Sequence, residues 1–205
     1  MDLTTHAQSR LEAAVPGVRV ELLPNDSPSG QRSLLVDAEH GRDAALALRE
    51  DAELRLDYCS NVTGVDWPEQ EITQKVKVKK IVEGVEKEVE EVVKTRRPGR
   101  LEAVYHLFSM EKKHGPVIIR MRTEDRAQRN HLPSLTPVWR SAEFQEREIY
   151  DLYGIIFEGH PDLRRLLMWE QFKDHPMRKD YVEPDDYEYE PTPHDEVLTR
   201  AKGHY

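Results

Sequence analysis

Clusters of proline and glycine cut this chain into short pieces, which limits the folds open to it. Pro16-Gly17, the run Pro24-Asn25-Asp26-Ser27-Pro28-Ser29-Gly30, Arg97-Pro98-Gly99 and Lys113-His114-Gly115-Pro116 all mark turns, because both residue types interrupt helices and strands. The pieces between them switch period. Residues 4–15 suit a short helix ended by Pro16, and Val18–Leu22 alternates as a strand should. The turn-rich run then predicts a hairpin into Ser33–Val36. Residues 42–51 carry a helical apolar face through Ala45 and Leu48, and Leu54–Cys59 alternates as a third strand. Leu101–Met110 and Val117–Arg122 add two strands, and Pro133, Thr136 and Pro137 punctuate a loop. Ser141 as N-cap, Glu143 in the first turn and Gly154 as the stop frame a helix over 142–153. The expected class is α+β: a mixed, largely antiparallel sheet with flanking helices, followed by an extended C-terminal tail.

Two stretches fit no compact core. In 73–99, Gln74–Val82 alternates lysine with valine, Glu86–Val93 is rich in glutamate and valine, and Glu83-Gly84 lies between. A protruding hairpin with oppositely charged arms accounts for this; a helix over Glu86–Arg97 competes. Either way the stretch reads as an insertion, solvated or in contact with a partner. Val182–Glu196 has no lysine or arginine and is full of Glu, Asp, Pro and Tyr, a composition that cannot build a core. Tyr187 and Tyr189 are candidate interface anchors there. The division expected is an α+β domain over 1–168, carrying the insertion, and an extended acidic partner-binding tail over 169–205.

Composition removes several functions. Against 39 acidic residues stand 30 basic ones, a net charge of −9, and a nucleic-acid binder needs the opposite. No run of about 18 apolar residues spans a membrane, and MDLTTHAQSRLEAAV has neither the basic nor the apolar part of a signal peptide, so a cytoplasmic chain is expected. The single cysteine, Cys59, cannot hold an iron–sulfur cluster, which takes about four thiolates. No GxGxxG, P-loop, CxxC, GxSxG or HExxH is present.

Candidate chemistry is correspondingly thin. Glu146 and Glu148 are a carboxylate pair, but residues two apart on a helix point about 200° apart, so they cannot face one substrate. Glu143–Arg147 and Arg147–Asp151 have i,i+4 spacing, which suits local salt bridges; an inter-subunit contact is the other reading. His160, His175 and His194 could be metal ligands with Glu or Asp, but no two share a helical face. His160 and His175 each precede a proline, which favours extended corners. Arg164-Arg165 and Arg178-Lys179 are either a solvated face or anchors for carboxylates on another subunit.

The run from Trp139 to Tyr181 carries a recognisable spacing. Glu146-Arg147-Glu148 is followed by Asp151, Leu152-Tyr153, Gly154, then Gly159-His160-Pro161-Asp162-Leu163-Arg164-Arg165, then His175-Pro176-Met177-Arg178-Lys179-Asp180-Tyr181. This resembles the signature of the 30-kDa component of respiratory complex I, the proton-pumping NADH:quinone oxidoreductase. Asp66-Trp67-Pro68 and Val104-Tyr105-His106-Leu107 resemble weaker landmarks of that family. Val182-Glu183 stand where members commonly have proline directly.

The resemblance implies a non-catalytic peripheral-arm subunit that docks on the 49-kDa partner. FMN, Fe-S clusters and quinone would belong to partner subunits, and this chain would hold no cofactor or metal. It would sit on the cytoplasmic side of the bacterial inner membrane, attached only through the complex. The expected contact residues are Glu146, Arg147, Glu148, Asp151, Gly159, His160, Pro161, Asp162, Arg164, Arg165, His175, Pro176, Arg178, Lys179, Asp180 and Tyr181. Three other readings remain: the equivalent subunit of a membrane-bound hydrogenase or formate hydrogenlyase, a metal-dependent hydrolase using His160, His175 and Glu148, and a free adaptor with an acidic tail.

Overall fold

The computed structural model describes residues 2–82 and 85–182, with backbone alone over 72–82 and 85–93. Glu83-Gly84 and the acidic stretch from Glu183 onward, with Tyr187, Tyr189 and His194, lie outside the described residues. The elements run α1 (Leu3–Ala14), β1 (Val20–Leu23), β2 (Ser33–Val36), α2 (Gly41–Glu50), β3 (Tyr58–Trp67), β4 (Gln70–Val82), β5 (Val85–Arg97), β6 (Arg100–Ser109), β7 (His114–Arg122), β8 (His131–Pro133), α3 (Glu143–Tyr153) and β9 (Ile156–Glu158). The class is α+β, as the pattern of periods predicts.

Five strands form the main sheet in the order β1-β2-β7-β6-β3. Only β2 and β7 run parallel; the other neighbours are antiparallel. Period-2 alternation decides which face is covered. Leu101, Ala103, Tyr105 and Leu107 of β6, with Val117, Ile119 and Met121 of β7, are fully buried. They share one core with Ala7 and Leu11 of α1, Ala45 and Leu48 of α2, and Ile149 of α3. The opposite rows of the same two strands carry Glu102, His106, Arg120 and Arg122, so the sheet has a second, polar face.

The 73–99 stretch is a hairpin, not a helix over Glu86–Arg97. Its arms keep the register of the strands below: Trp67 pairs with Arg100 in β3–β6, and Gln70 pairs with Arg97 in β4–β5. The β3–β6 hairpin is thus lengthened through a bend at Pro68 and Pro98-Gly99, and the sheet beneath keeps its faces. The ladder sets Lys77 opposite Glu90 and Lys79 opposite Glu88.

Three local expectations need correction. The strand predicted at Leu54–Cys59 begins only at Tyr58. Asp51 Oδ1 accepts the amides of Glu53 and Leu54, both at 2.9 Å, and the resulting turn buries Leu54 and Leu56 without any ladder. Ser141 is not the cap of α3. Its hydroxyl donates to the Cys59 carbonyl at 2.7 Å, and α3 is entered through a 3-10 turn at Arg140–Ala142. Finally, the loop around Pro133 includes β8, which pairs in parallel with β9 and ties the chain before α3 to the chain after it.

Candidate functional site

Helix α3 carries the signature, and its interior end is built around Glu146. This side chain is fully buried. It accepts from the Ser134 hydroxyl (2.6 Å), the Leu135 amide (2.8 Å), the Tyr105 hydroxyl (3.0 Å) and the Thr136 hydroxyl (3.1 Å). Burial raises its pKa, against the pull of the donors from Ser134, Leu135 and Tyr105. Burial likewise drives the Tyr105 hydroxyl well above its ordinary value, with Glu146 adding to the shift. A carboxylate closed in by four donors cannot reach a substrate. It joins α3 to β6 and to the 134–136 turn.

Asp151, five residues on, is also fully buried. Its Oδ2 accepts three consecutive amides, those of Leu166 (2.9 Å), Leu167 (2.7 Å) and Met168 (2.9 Å), and such a run of N–H groups is an anion nest. Oδ1 takes the Arg165 guanidinium at 2.7 Å. Burial opposes the charge, but the three amides and Arg165 outweigh it and hold the pKa below the usual carboxylate range.

The remaining signature groups fix the same segment. Arg147 is buried and donates to the carbonyls of Arg164 and Arg165, both at 3.2 Å, with Asp162 at 3.7 Å. The i,i+4 pairs Glu143–Arg147 and Arg147–Asp151 are therefore not formed; each partner has a better-placed group elsewhere. Arg164 pairs with Asp162 at 2.9 Å. His160 Nε2 donates to the Glu143 carbonyl at 3.0 Å while Nδ1 accepts the Asp162 amide at 3.1 Å, which ties the Gly159-His160-Pro161 corner to the start of α3. His175 Nδ1 donates to the Asp151 carbonyl at 2.9 Å. Arg178 Nε caps the helix through the Tyr153 carbonyl at 2.7 Å.

Gly154 makes this packing possible. Its φ is +81°, a conformation that costs little only for glycine. A Cβ there would collide with His175 Nε2 and Arg178 Nη2. The stop predicted at Gly154 is thus also the seat of the His175–Tyr181 corner.

That corner closes onto β3. The Lys179 amide donates to Asp66 at 2.8 Å, and its ammonium sits 5.7 Å from the Trp67 ring centroid. Arg126 bridges buried Asp66 (2.8 Å) and Asp180 (2.6 Å). Tyr181 leans on Phe172, whose ring packs against Trp169. Pro176 is half-buried, and the Met177 amide next to it bonds the Leu152 carbonyl. The stretch from Trp169 to Tyr181, expected to begin the tail, is held to α3 and β3 by these contacts.

Glu148 is exposed on α3. His160 and His175 bond carbonyls eight residues apart on that helix, about 12 Å along its axis, so the trio that would serve a metal-dependent hydrolase does not converge. Cys59 is buried, and burial pushes its thiol up to about 12. Asp66 and Tyr105 are visible in the sequence only inside the weaker landmarks. Arg126 sits in a polar stretch with no motif, Thr136 shows in the sequence only as part of a loop, and Ser134 has no sequence signal.

Residues 34–187 match the family described as "Respiratory-chain NADH dehydrogenase, 30 Kd subunit". The chain belongs to this family. It is 36% identical over 180 residues to the corresponding NADH-quinone oxidoreductase subunit of Coxiella burnetii (strain Dugway 5J108-111), covering 84% of this chain and 72% of that one. Its identity to the counterpart from Roseiflexus castenholzii is 34% over 172 residues, covering 84% and 80%. In fold it is similar to a chain of the membrane-bound sulfane sulfur reductase, an archaeal respiratory membrane complex. There the TM-score is 0.58 at 18% identity, over 98% of this chain and 92% of the other, a likeness of architecture alone. Among the described residues of this 30-kDa-type subunit, no helix is long and apolar enough to cross a membrane.

Proposed function

We propose that this chain is a non-catalytic peripheral-arm subunit of a proton-translocating NADH:quinone oxidoreductase. It docks on the 49-kDa partner, on the cytoplasmic side of the bacterial inner membrane, and meets the membrane only through the complex. FMN, the Fe-S clusters and quinone belong to its partners. The buried, four-donor setting of Glu146 and the high thiol pKa of Cys59 fit a chain with no active site of its own.

One observation carries the docking role. Arg147, Asp151, Arg165, His175 and Arg178 bond the backbone around them and give residues 158–181 a fixed irregular shape, while several large apolar side chains point out. Leu167 is 62% exposed, Met177 53% and Phe144, on α3 itself, 60%. Exposed apolar side chains on a rigid frame are what an interface core needs. Arg147, Asp151, Arg165, His175 and Arg178 then act as positioning residues, and the apolar side chains make the contact.

The test is a pull-down of the tagged chain from gently solubilised membranes. Leu167→Ser with Met177→Ser is expected to lose the 49-kDa-type partner while the purified chain keeps its melting temperature. Unchanged recovery of the partner would overturn the docking surface. Recovery by the wild-type chain of a nickel–iron hydrogenase-like partner without the NADH-oxidising module would replace complex I with its hydrogenase relative.

A further inference from the structure

The polar face of the main sheet holds an unbalanced cluster of charge. Glu102 is fully buried there, and three arginines crowd it: Arg122, Arg120 at 3.2 Å and Arg100 at 3.9 Å. Three guanidiniums against one carboxylate leave two positive charges, in a chain whose net charge is −9. The Nε atoms of Arg100 and Arg120 are buried and have no hydrogen-bond partner among the described residues, an expensive state for a charged donor. Burial and the neighbouring Arg122 both pull Arg100 below its ordinary pKa, with Glu102 and Glu21 pulling the other way. The side chains of Arg100, Arg122 and Arg120 are nevertheless 23%, 24% and 27% exposed, so an anion from solvent can reach them.

A groove of about 470 Å³ opens over the cluster, lined by Arg100, Arg120 and Arg122, and this is the size of a small-ligand site. Arg97 and Asp26 also line it and offset one another, while Glu21 lines a separate hollow with Arg19. Leu23, Trp67 and Pro68 give the groove an apolar wall. The three guanidiniums converge on one carboxylate, so their remaining N–H groups lie close together and favour one compact anion with several oxygens. Carboxylates alternating along an extended peptide stand about 6.7 Å apart, and such a spread does not match a single focus of charge. A phosphate monoester carries close to two negative charges at neutral pH, which balances the excess in the cluster. Its oxygens also accept paired N–H groups from a guanidinium, the geometry that arginine is built for.

We infer that this groove binds a small soluble phosphate monoester, Arg100, Arg120 and Arg122 holding the phosphoryl oxygens and the wall of Leu23, Trp67 and Pro68 meeting the organic part. The ester is held there and not transformed. The site is independent of the docking surface proposed above, which lies on α3 and the 158–181 segment.

Nuclear magnetic resonance of the full, isotope-labelled chain tests it, with phenyl phosphate as the probe. At constant ionic strength the Nε–H signals of Arg100, Arg120 and Arg122 and the indole signal of Trp67 are expected to shift together and to saturate. Benzenesulfonate has the same ring and one charge fewer, and is expected to bind roughly tenfold more weakly. Inorganic phosphate keeps the charge without the ring, so it should move the arginine signals and leave the Trp67 indole in place. Arg100 makes the longest of the three contacts with Glu102, so Arg100→Gln leaves the other two arginines on that carboxylate. It is expected to weaken phenyl phosphate about tenfold. The comparison of the three anions needs no substitution, so it stands even if that variant misfolds. No saturable shift with phenyl phosphate, or equal affinity for benzenesulfonate, would overturn the inference. So would a folded Arg100→Gln chain that binds as before. Tighter binding of a polyglutamate peptide than of phenyl phosphate would overturn it in favour of an acidic protein segment. Arginine signals that respond only to vesicles containing phosphatidic acid would overturn it in favour of a lipid headgroup.

Discussion

Glu146 and Asp151 stand five residues apart on one helix, and both are fully buried, yet their environments move them in opposite directions. Around Glu146 the donors are three hydroxyls and one amide, with no cation in contact among the described residues. Desolvation wins there and the pKa rises. Around Asp151 stand three amides and a guanidinium, and they overcome the same desolvation. The difference lies in what each carboxylate holds. Glu146 joins parts of the folded core, where neutral donors suffice. Asp151 gathers a segment with almost no regular secondary structure, and only a full charge against a nest and an arginine can order so much backbone.

The sharpest way to break this contrast is Asp151→Ala. It strands the guanidinium of Arg165, which is largely buried, and leaves three amides without an acceptor. Removing one partner of a buried charged pair typically costs about 3–5 kcal/mol. Urea unfolding of the purified chain should show a loss in that range. Hydrogen exchange should show amides 164–181 losing protection first. Protection lost equally across β6 and β7 would mean that Asp151 supports the whole core, as Glu146 does.

Gly154→Ala sharpens the comparison from the other side, because it leaves both carboxylates in place. The substitution meets a left-handed φ and the ring of His175 together. Backbone strain of this kind costs about 1–3 kcal/mol. The expected result is lower stability with exchange confined to the 175–181 corner, and undiminished protection at Tyr105 and Leu135. Unchanged stability would show that the corner shifts freely and that Gly154 is a helix stop only.

These contrasts explain what is legible in the sequence. Hairpins and helix stops depend on neighbours in the chain, so β1–β2, the β4–β5 extension and Gly154 can be read directly. Ser141 looks like a cap until β3 offers the Cys59 carbonyl, and Leu54–Leu56 looks like a strand until Asp51 folds the turn. The nest of Asp151 uses backbone amides fifteen to seventeen residues away, and amides leave no trace in residue type. Spacing matches Arg147 to Glu143 and Asp151, but the carbonyls of Arg164 and Arg165 and the carboxylate of Asp162 are better placed. The signature residues are legible in the sequence, while the intrachain partners of Glu146, Arg147 and Asp151 become visible only in three dimensions.

The smallest effect expected is also the one that reads the two signs directly. Asp151 has its folded pKa depressed below the unfolded value of about 3.9. Its contribution is fully present above that value and is lost as pH falls through the folded pKa. Glu146 has its folded pKa raised above an unfolded value of about 4.3, so its contribution is present below that value and is lost as pH rises through the folded pKa. Glu146→Gln removes the titration but keeps the shape, at a cost of about 1–3 kcal/mol for each donor left facing the amide NH₂, and each carboxylate oxygen accepts from two donors. Measured against pH, the variant should lose less stability than the wild type as pH rises from the unfolded carboxylate value through the raised one. Its acid limb, set by Asp151, should be unchanged. A flattened acid limb with an unchanged upper limb would reverse the assignment, making Glu146 the depressed carboxylate and its four donors stronger than its burial.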